Sequence, residues 1–120
     1  MKPENRRRVI DELASAYPDA MSTTEGARTL VRIPRVNLPK GCAPSQTSAL
    51  VVIEVSQPAP QLYVKELPKL ANGRSPRSTS AVQFAGETWC TFSFNQLWDE
   101  DRHTALQFVE GRLRRFALHE

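Results

Sequence analysis

Only two cysteines occur in the 120 residues, Cys42 and Cys90. At most one disulfide could form, so a disulfide-built scaffold is excluded and free thiols are expected. Histidine is as scarce, and neither His103 nor His119 shares a close ligand spacing with a cysteine, so no zinc site is expected. No stretch approaches the roughly 20 apolar residues of a membrane span, and no apolar core follows the charged start as it would in a signal peptide. The expectation is a soluble cytoplasmic protein with no membrane partner and no cofactor. Glycine is sparse too, five against nine prolines, which argues for rigid, proline-punctuated loops instead of flexible linkers.

What is present is ordinary globular material. Hydrophobic residues make up 40% and charged residues 24%, enough for one domain spanning 1–120 with a core of its own. The net charge is only +3. Its basic residues gather at Arg6-Arg7-Arg8 near the start and at Arg112, Arg114 and Arg115 near the end, with Arg74 and Arg77 between. Such clusters could serve a small nucleic-acid-binding domain. They lack the interleaved aromatics of a single-strand binder, however, and arginines late in a helix simply complement its dipole.

Periodicity predicts a first helix in which Val9, Ile10, Leu13 and Tyr17 share a face, ended by Pro18. The three arginines in its first turn oppose the helix dipole and mark a candidate partner-binding surface, expected to be exposed. "ARTLVRIPRVNL" predicts a strand interrupted at Pro34. "PKGCAPSQTS" predicts a loop that leaves Cys42 exposed, and "ALVVIEVS" a central strand covered on both faces. A short strand, "LYV", follows the turn "QPAPQ". Lys65 to Ser80 reads as a long loop. "TWCTFSF" alternates, with Cys90, Phe92 and Phe94 on one side and Trp89, Thr91 and Ser93 on the other. A final helix is predicted with Asp99, Glu100 and Asp101 at its start. Its buried stripe comprises Leu106, Val109, Leu113 and Phe116, joined by Ala105 and Phe108. The order predicts an α+β domain with an antiparallel meander.

In this order, "VRIPRVNLPKGC", "ALVVIEVSQPAPQLYV", "LANGRSP" and "GETWCTFSFNQLW" resemble the ubiquitin-conjugating enzyme (UBC) superfamily, and within it the small bacterial branch called prokaryotic family E. The points of resemblance are the turn at Leu38, Pro39 and Gly41, the apolar stretch Leu50 to Val64, the loop at Gly73 and Pro76, the segment Trp89, Phe92 and Ser93, and Trp98 before the last helix. The resemblance runs from about Val9 to Leu118. It implies a UBC-like architecture: an N-terminal helix, a meander of about four antiparallel strands, a long crossover segment and a C-terminal helix. It also implies a role in a bacterial ubiquitin-like modification system. The partners would be a ubiquitin-like protein and an adenylating activating enzyme, together with a metal-dependent deconjugating peptidase.

Within that resemblance Cys90, with Trp98 shortly after it, occupies the place of a thioester-forming cysteine, and Asn95 or Asn72 would have to supply the oxyanion-stabilising amide. The histidine-proline-asparagine motif of eukaryotic members is absent from Arg77 to Gly86. No lysine, arginine or histidine flanks Cys90 to activate it. Free cysteine is among the most frequently buried residue types, so the residues themselves favour Cys90 as a core residue beside Phe92 and Phe94 over a nucleophile. Three functions follow: a thioester carrier or atypical non-catalytic member, a module that binds a ubiquitin-like protein without catalysis, and a basic nucleic-acid-binding domain.

Overall fold

The computed structural model describes residues 1–92 and 98–117. Ser93, Phe94, Asn95 and His119, which enter the expectations above, lie outside them. Helix α1, Pro3–Ala16, begins with proline in its first turn, where the missing N–H costs nothing, and buries Val9 and Leu13. A six-stranded, wholly antiparallel sheet follows, formed by β1 (Met21–Glu25), β2 (Arg28–Asn37), β3 (Gln46–Glu54), β4 (Gln61–Val64), β5 (Thr79–Phe84) and β6 (Glu87–Phe92). Its strand order is β1-β2-β3-β4-β6-β5. The chain closes with α2, Ala105–Arg114, and a 3-10 turn, Arg115–Ala117. No helix among the described residues is long and apolar enough to cross a membrane.

The fold is thus α+β, with a helix at each end as expected, but the sheet has six strands where about four were expected. The additional pair of edge strands explains the difference. β1, "MSTTE", and β5, "TSAVQF", are exposed along almost their whole length. Neither carries the apolar alternation that a half-buried strand shows. The loop expected to run to Ser80 therefore ends at Ser78, and a tight hairpin stands before the last helix.

The period of two in the central strands divides the sheet into two apolar faces. Val31, Ile33, Ala49, Val51, Ile53, Leu62 and Val64 face α1 and α2, meeting Val9, Leu13, Ala105, Phe108, Val109, Leu113 and Phe116 in the main core. Register slips between Ile33 and Val36. This bulge at Pro34 and Arg35 returns Val36 to the same buried face as Ile33. On the opposite face Leu30, Leu50, Val52, Tyr63, Phe84 and Trp89 make a second, smaller cluster that includes no residue of α1 or α2.

Two further expectations need correction. Cys42 is only 7% exposed. Its loop folds inward because the Cys42 N–H closes a turn on the Pro39 carbonyl and Ala43 exchanges both backbone hydrogen bonds with Lys69. Gly41, at φ +94°, is required there: a Cβ would stand 2.6 Å from the Ala71 Cβ. In α2 the N-cap is Thr104, whose hydroxyl accepts from the Gln107 N–H while Gln107 reaches back to the Thr104 N–H. This capping box replaces the acidic start expected at Asp99 to Asp101. Leu106, in the first turn beside the stripe of Ala105, Phe108, Val109 and Leu113, is 39% exposed and not buried.

Candidate functional site around Cys90

Cys90 is an interior residue of β6. It pairs with Ala81 of β5 on one side and with Val64 of β4 on the other. As the alternation predicts, Trp89 enters the second cluster, while Cys90 and Phe92 pack against the main core. The Cys90 side is half-buried.

Among the described residues Val64–Cys90 is the register pair joining β4 to β6. Side chains add to it. The Thr91 hydroxyl donates to the Leu62 carbonyl at 3.0 Å. Arg112, arriving from α2, donates from Nη2 to the Phe92 carbonyl at 3.2 Å and to Thr91 Oγ1 at 3.4 Å. Its guanidinium lies 5.2 Å from the Phe92 ring centroid, and that ring sits 4.4 Å from Phe116. Burial pushes the Arg112 guanidinium down to about 10, with Tyr63 raising it and Arg115 lowering it further. It still carries its charge at neutral pH. The Arg112 cation is thus tied to oxygens of β6.

Asn95 lies outside the described residues, and the other candidates are engaged elsewhere. Asn72 is exposed, and its Oδ1 accepts the Arg74 N–H within a turn closed by Gly73 N–H to Leu70 O. This is a local turn-forming use of the amide. Cys42 donates its thiol to the Phe116 carbonyl at 4.0 Å, and burial raises its pKa. No set of His, Cys, Asp and Glu side chains among the described residues is arranged to hold a metal ion.

The arginine cluster of α1 divides into three different roles. Arg7 is exposed, with only Asp11 at 3.8 Å for company. Arg8, expected to be free, is half-buried. It donates to both Glu12 carboxylate oxygens at 3.1 Å, to the His103 carbonyl at 3.2 Å and to the Glu100 carbonyl. Glu12 in turn accepts the Ala105 N–H at 2.8 Å, satisfying an open donor at the start of α2. Arg6 is also partly buried, and its Nε has no hydrogen-bond partner among the described residues. Asn5 completes the clamp by donating to Glu100 at 2.8 Å and to Asp101 at 3.0 Å. Arg8 thus belongs to the packing of α1 on the segment before α2.

The sheet face turned away from the helices offers a feature that sequence reading missed. A groove of about 370 Å³ is lined by Met21, Thr23, Leu30, Arg32, Leu50, Phe84, Ala85, Glu87 and Trp89. Phe84 meets Tyr63 edge-on at 5.0 Å, and Arg28 lies 4.7 Å over Phe84. Arg32 and Lys65 stand 5.4 and 5.2 Å from Trp89, both ion-paired to Glu87. Hydrogen bonds from Arg32 first, and then Lys65, hold the Glu87 carboxyl below the ordinary carboxylate value. The alternation of arginine with apolar residues in β2, set beside Trp89, was the available signal. Cationic stems lying over aromatic rings can shelter a sheet face that no helix covers.

No protein-family model, curated protein or solved structure matches this chain.

Proposed function

We propose that this chain is an atypical ubiquitin-conjugating-like domain of a bacterial ubiquitin-like modification system, one that binds a ubiquitin-like protein without carrying it as a thioester. The observation that carries the reading is the setting of Cys90. The residue is a rung of a paired strand with its side chain against the main core. An acyl carrier needs a sulfur open to attack and a donor for the tetrahedral oxyanion. Asn72 has its amide oxygen engaged in a turn of its own. Arg112 hydrogen-bonds to Thr91 and Phe92, the two residues after Cys90. The UBC-like part of the proposal rests on the sequence resemblance and on the order helix, antiparallel strands, long segment, strand hairpin, helix. The groove beneath Arg28, Arg32 and Lys65 provides an apolar sheet face for docking, with Arg7 of α1 a second exposed contact.

The half-exposure of Cys90 favours a second reading, the thioester carrier. One experiment separates the two. The protein is incubated with a ubiquitin-like protein of the proposed system, its activating enzyme and ATP, and binding is followed separately by Trp fluorescence or calorimetry. Binding with no thiol-labile adduct at Cys90, mapped by peptide analysis, is the expected outcome. Rapid stoichiometric thioester formation at Cys90, converted to a thiol-resistant ester by Cys90→Ser, would establish the carrier. Absence of any association would remove both readings.

A further inference from the structure

We infer that the free edge of β5 is a docking strip for the extended, carboxylate-bearing C-terminal tail of a partner protein. The inference is independent of the proposed function, because it stands on strand geometry and local charge alone. β5 terminates the sheet next to β6. The turn between them, Ala85–Gly86, has φ of +50° and +80° at its two residues, the signature of a two-residue hairpin. Phe84 and Glu87 are therefore the closing hydrogen-bonded pair. By alternation, Val82 and Ser80 also direct their backbone groups at β6. Thr79, Ala81 and Gln83 aim theirs outward, where no hydrogen bond meets them among the described residues.

Such an edge is normally blunted by charge, proline or a covering segment. β5 has neither a charged residue nor a proline from Thr79 to Phe84, and Val82 beside Trp89 is 37% exposed. The opposite edge is a poorer template. In β1 the closing pair is Glu25–Arg28, which leaves only Ser22 and Thr24 facing outward and places an acidic residue at its end.

Charge selects the occupant and its direction. From Leu67 to Gly86 the chain contains Lys69, Arg74 and Arg77 and no acidic residue. Neither the Arg74 nor the Arg77 guanidinium has an ion-pair partner among the described residues, and Arg77 stands two residues before β5 begins. Every strand pair in this sheet is antiparallel. A strand added in the same sense runs from the Phe84 end towards Thr79, so its C-terminal end arrives beside Arg77. Backbone pairing would provide affinity through the three outward residues, and the terminal carboxylates would provide the polarity.

The test uses the full chain and an acetylated probe peptide, Thr-Val-Thr-Val-Thr-Glu-Glu, with a free carboxyl terminus. Amide resonances of Thr79, Ala81 and Gln83 should shift on titration. Lysine in place of both glutamates, with an amidated end, should weaken binding at least about tenfold, as should Arg77→Glu. Ala81→Pro removes one outward N–H without touching the bonds to β6 and should also cost about tenfold. A probe methylated on alternate backbone nitrogens tests the same pairing on the unaltered protein. Undiminished binding of the methylated probe in both alternations, no binding up to about 1 mM, or a salt-insensitive preference for the lysine peptide would overturn the inference. So would self-association of the protein through the same three amides, which would make a second copy the occupant.

Discussion

Replacing Glu12 by alanine separates the structural arginine of α1 from the solvent-facing one. Glu12 lies one helical turn from Arg8 and receives both its guanidinium and the Ala105 N–H at 2.8 Å. Removing the carboxylate leaves the first N–H of α2 without its acceptor, a loss comparable to that of a helix cap, about 1 kcal/mol. The half-exposed ion pair adds about 0.5 kcal/mol. Looser packing of the segment Glu100 to His103, which Arg8 holds by its carbonyls, brings the total to about 2 kcal/mol. In urea the midpoint should fall by about 1 M with an unchanged slope. Arg7→Ala, which breaks only an exposed contact of 3.8 Å, should stay within about 0.5 kcal/mol of the parent. In a double-mutant cycle, Arg8→Ala and Glu12→Ala should be non-additive by at least about 0.5 kcal/mol. Equal effects of Glu12→Ala and Arg7→Ala, or strict additivity of the cycle, would refute the clamp.

Leu113→Ala should destabilise by about 2–5 kcal/mol in the same assay, because the side chain is buried against the sheet. Leu106→Ala, on the exposed rim, should cost less than about 1 kcal/mol. The carboxyls of Glu100 and Asp101 lie below their ordinary values of 4.5 and 3.8, first through hydrogen bonds from Asn5. Their contribution is therefore complete above about pH 4.5 and is lost as pH falls through the depressed folded values. Asn5→Ala should flatten this acid limb, read as urea midpoints against pH, and an unchanged limb would show that the hydrogen bonds contribute nothing.

Elements that bury one face announced themselves. Val9 and Leu13 fixed α1, the run from Ala49 to Ile53 fixed the central strand, and the alternation of Trp89, Cys90 and Phe92 correctly divided that segment between two faces. β1 and β5 escaped because an edge strand exposed on both faces has no apolar signature; only the Ala85–Gly86 turn hinted at the hairpin. The start of α2 was misplaced because acidic residues at 99–101 suit a helix start as well as they suit their actual roles: the Glu100 and Asp101 carboxylates receive hydrogen bonds from Lys2 and Asn5, the Glu100 carbonyl receives one from Arg8, and Asp99 accepts the Asp101 N–H. Those long-range contacts also explain Arg8, since no local pattern distinguishes an arginine facing water from one facing a segment more than ninety residues away. For Cys90 the strand and side were legible. Its half-burial depends on how the assembled sheet packs against the main core, which no local pattern carries.

The clamp between α1 and the segment before α2 has a temporal consequence. Asn5 and Arg8 meet partners 92 to 96 positions later. Closing a loop of that length costs about 4 kcal/mol in chain entropy before any contact offsets it. During synthesis α1 and the strands leave the ribosome well before Thr104 to Phe116 does. The helix-facing side of the sheet then lacks Ala105, Phe108, Val109, Leu113 and Phe116, and part of the apolar row from Val31 to Val64 stays wet until α2 appears. A nascent chain stalled before Ala105 would therefore present a partly uncovered apolar sheet, a form open to chaperones and to aggregation.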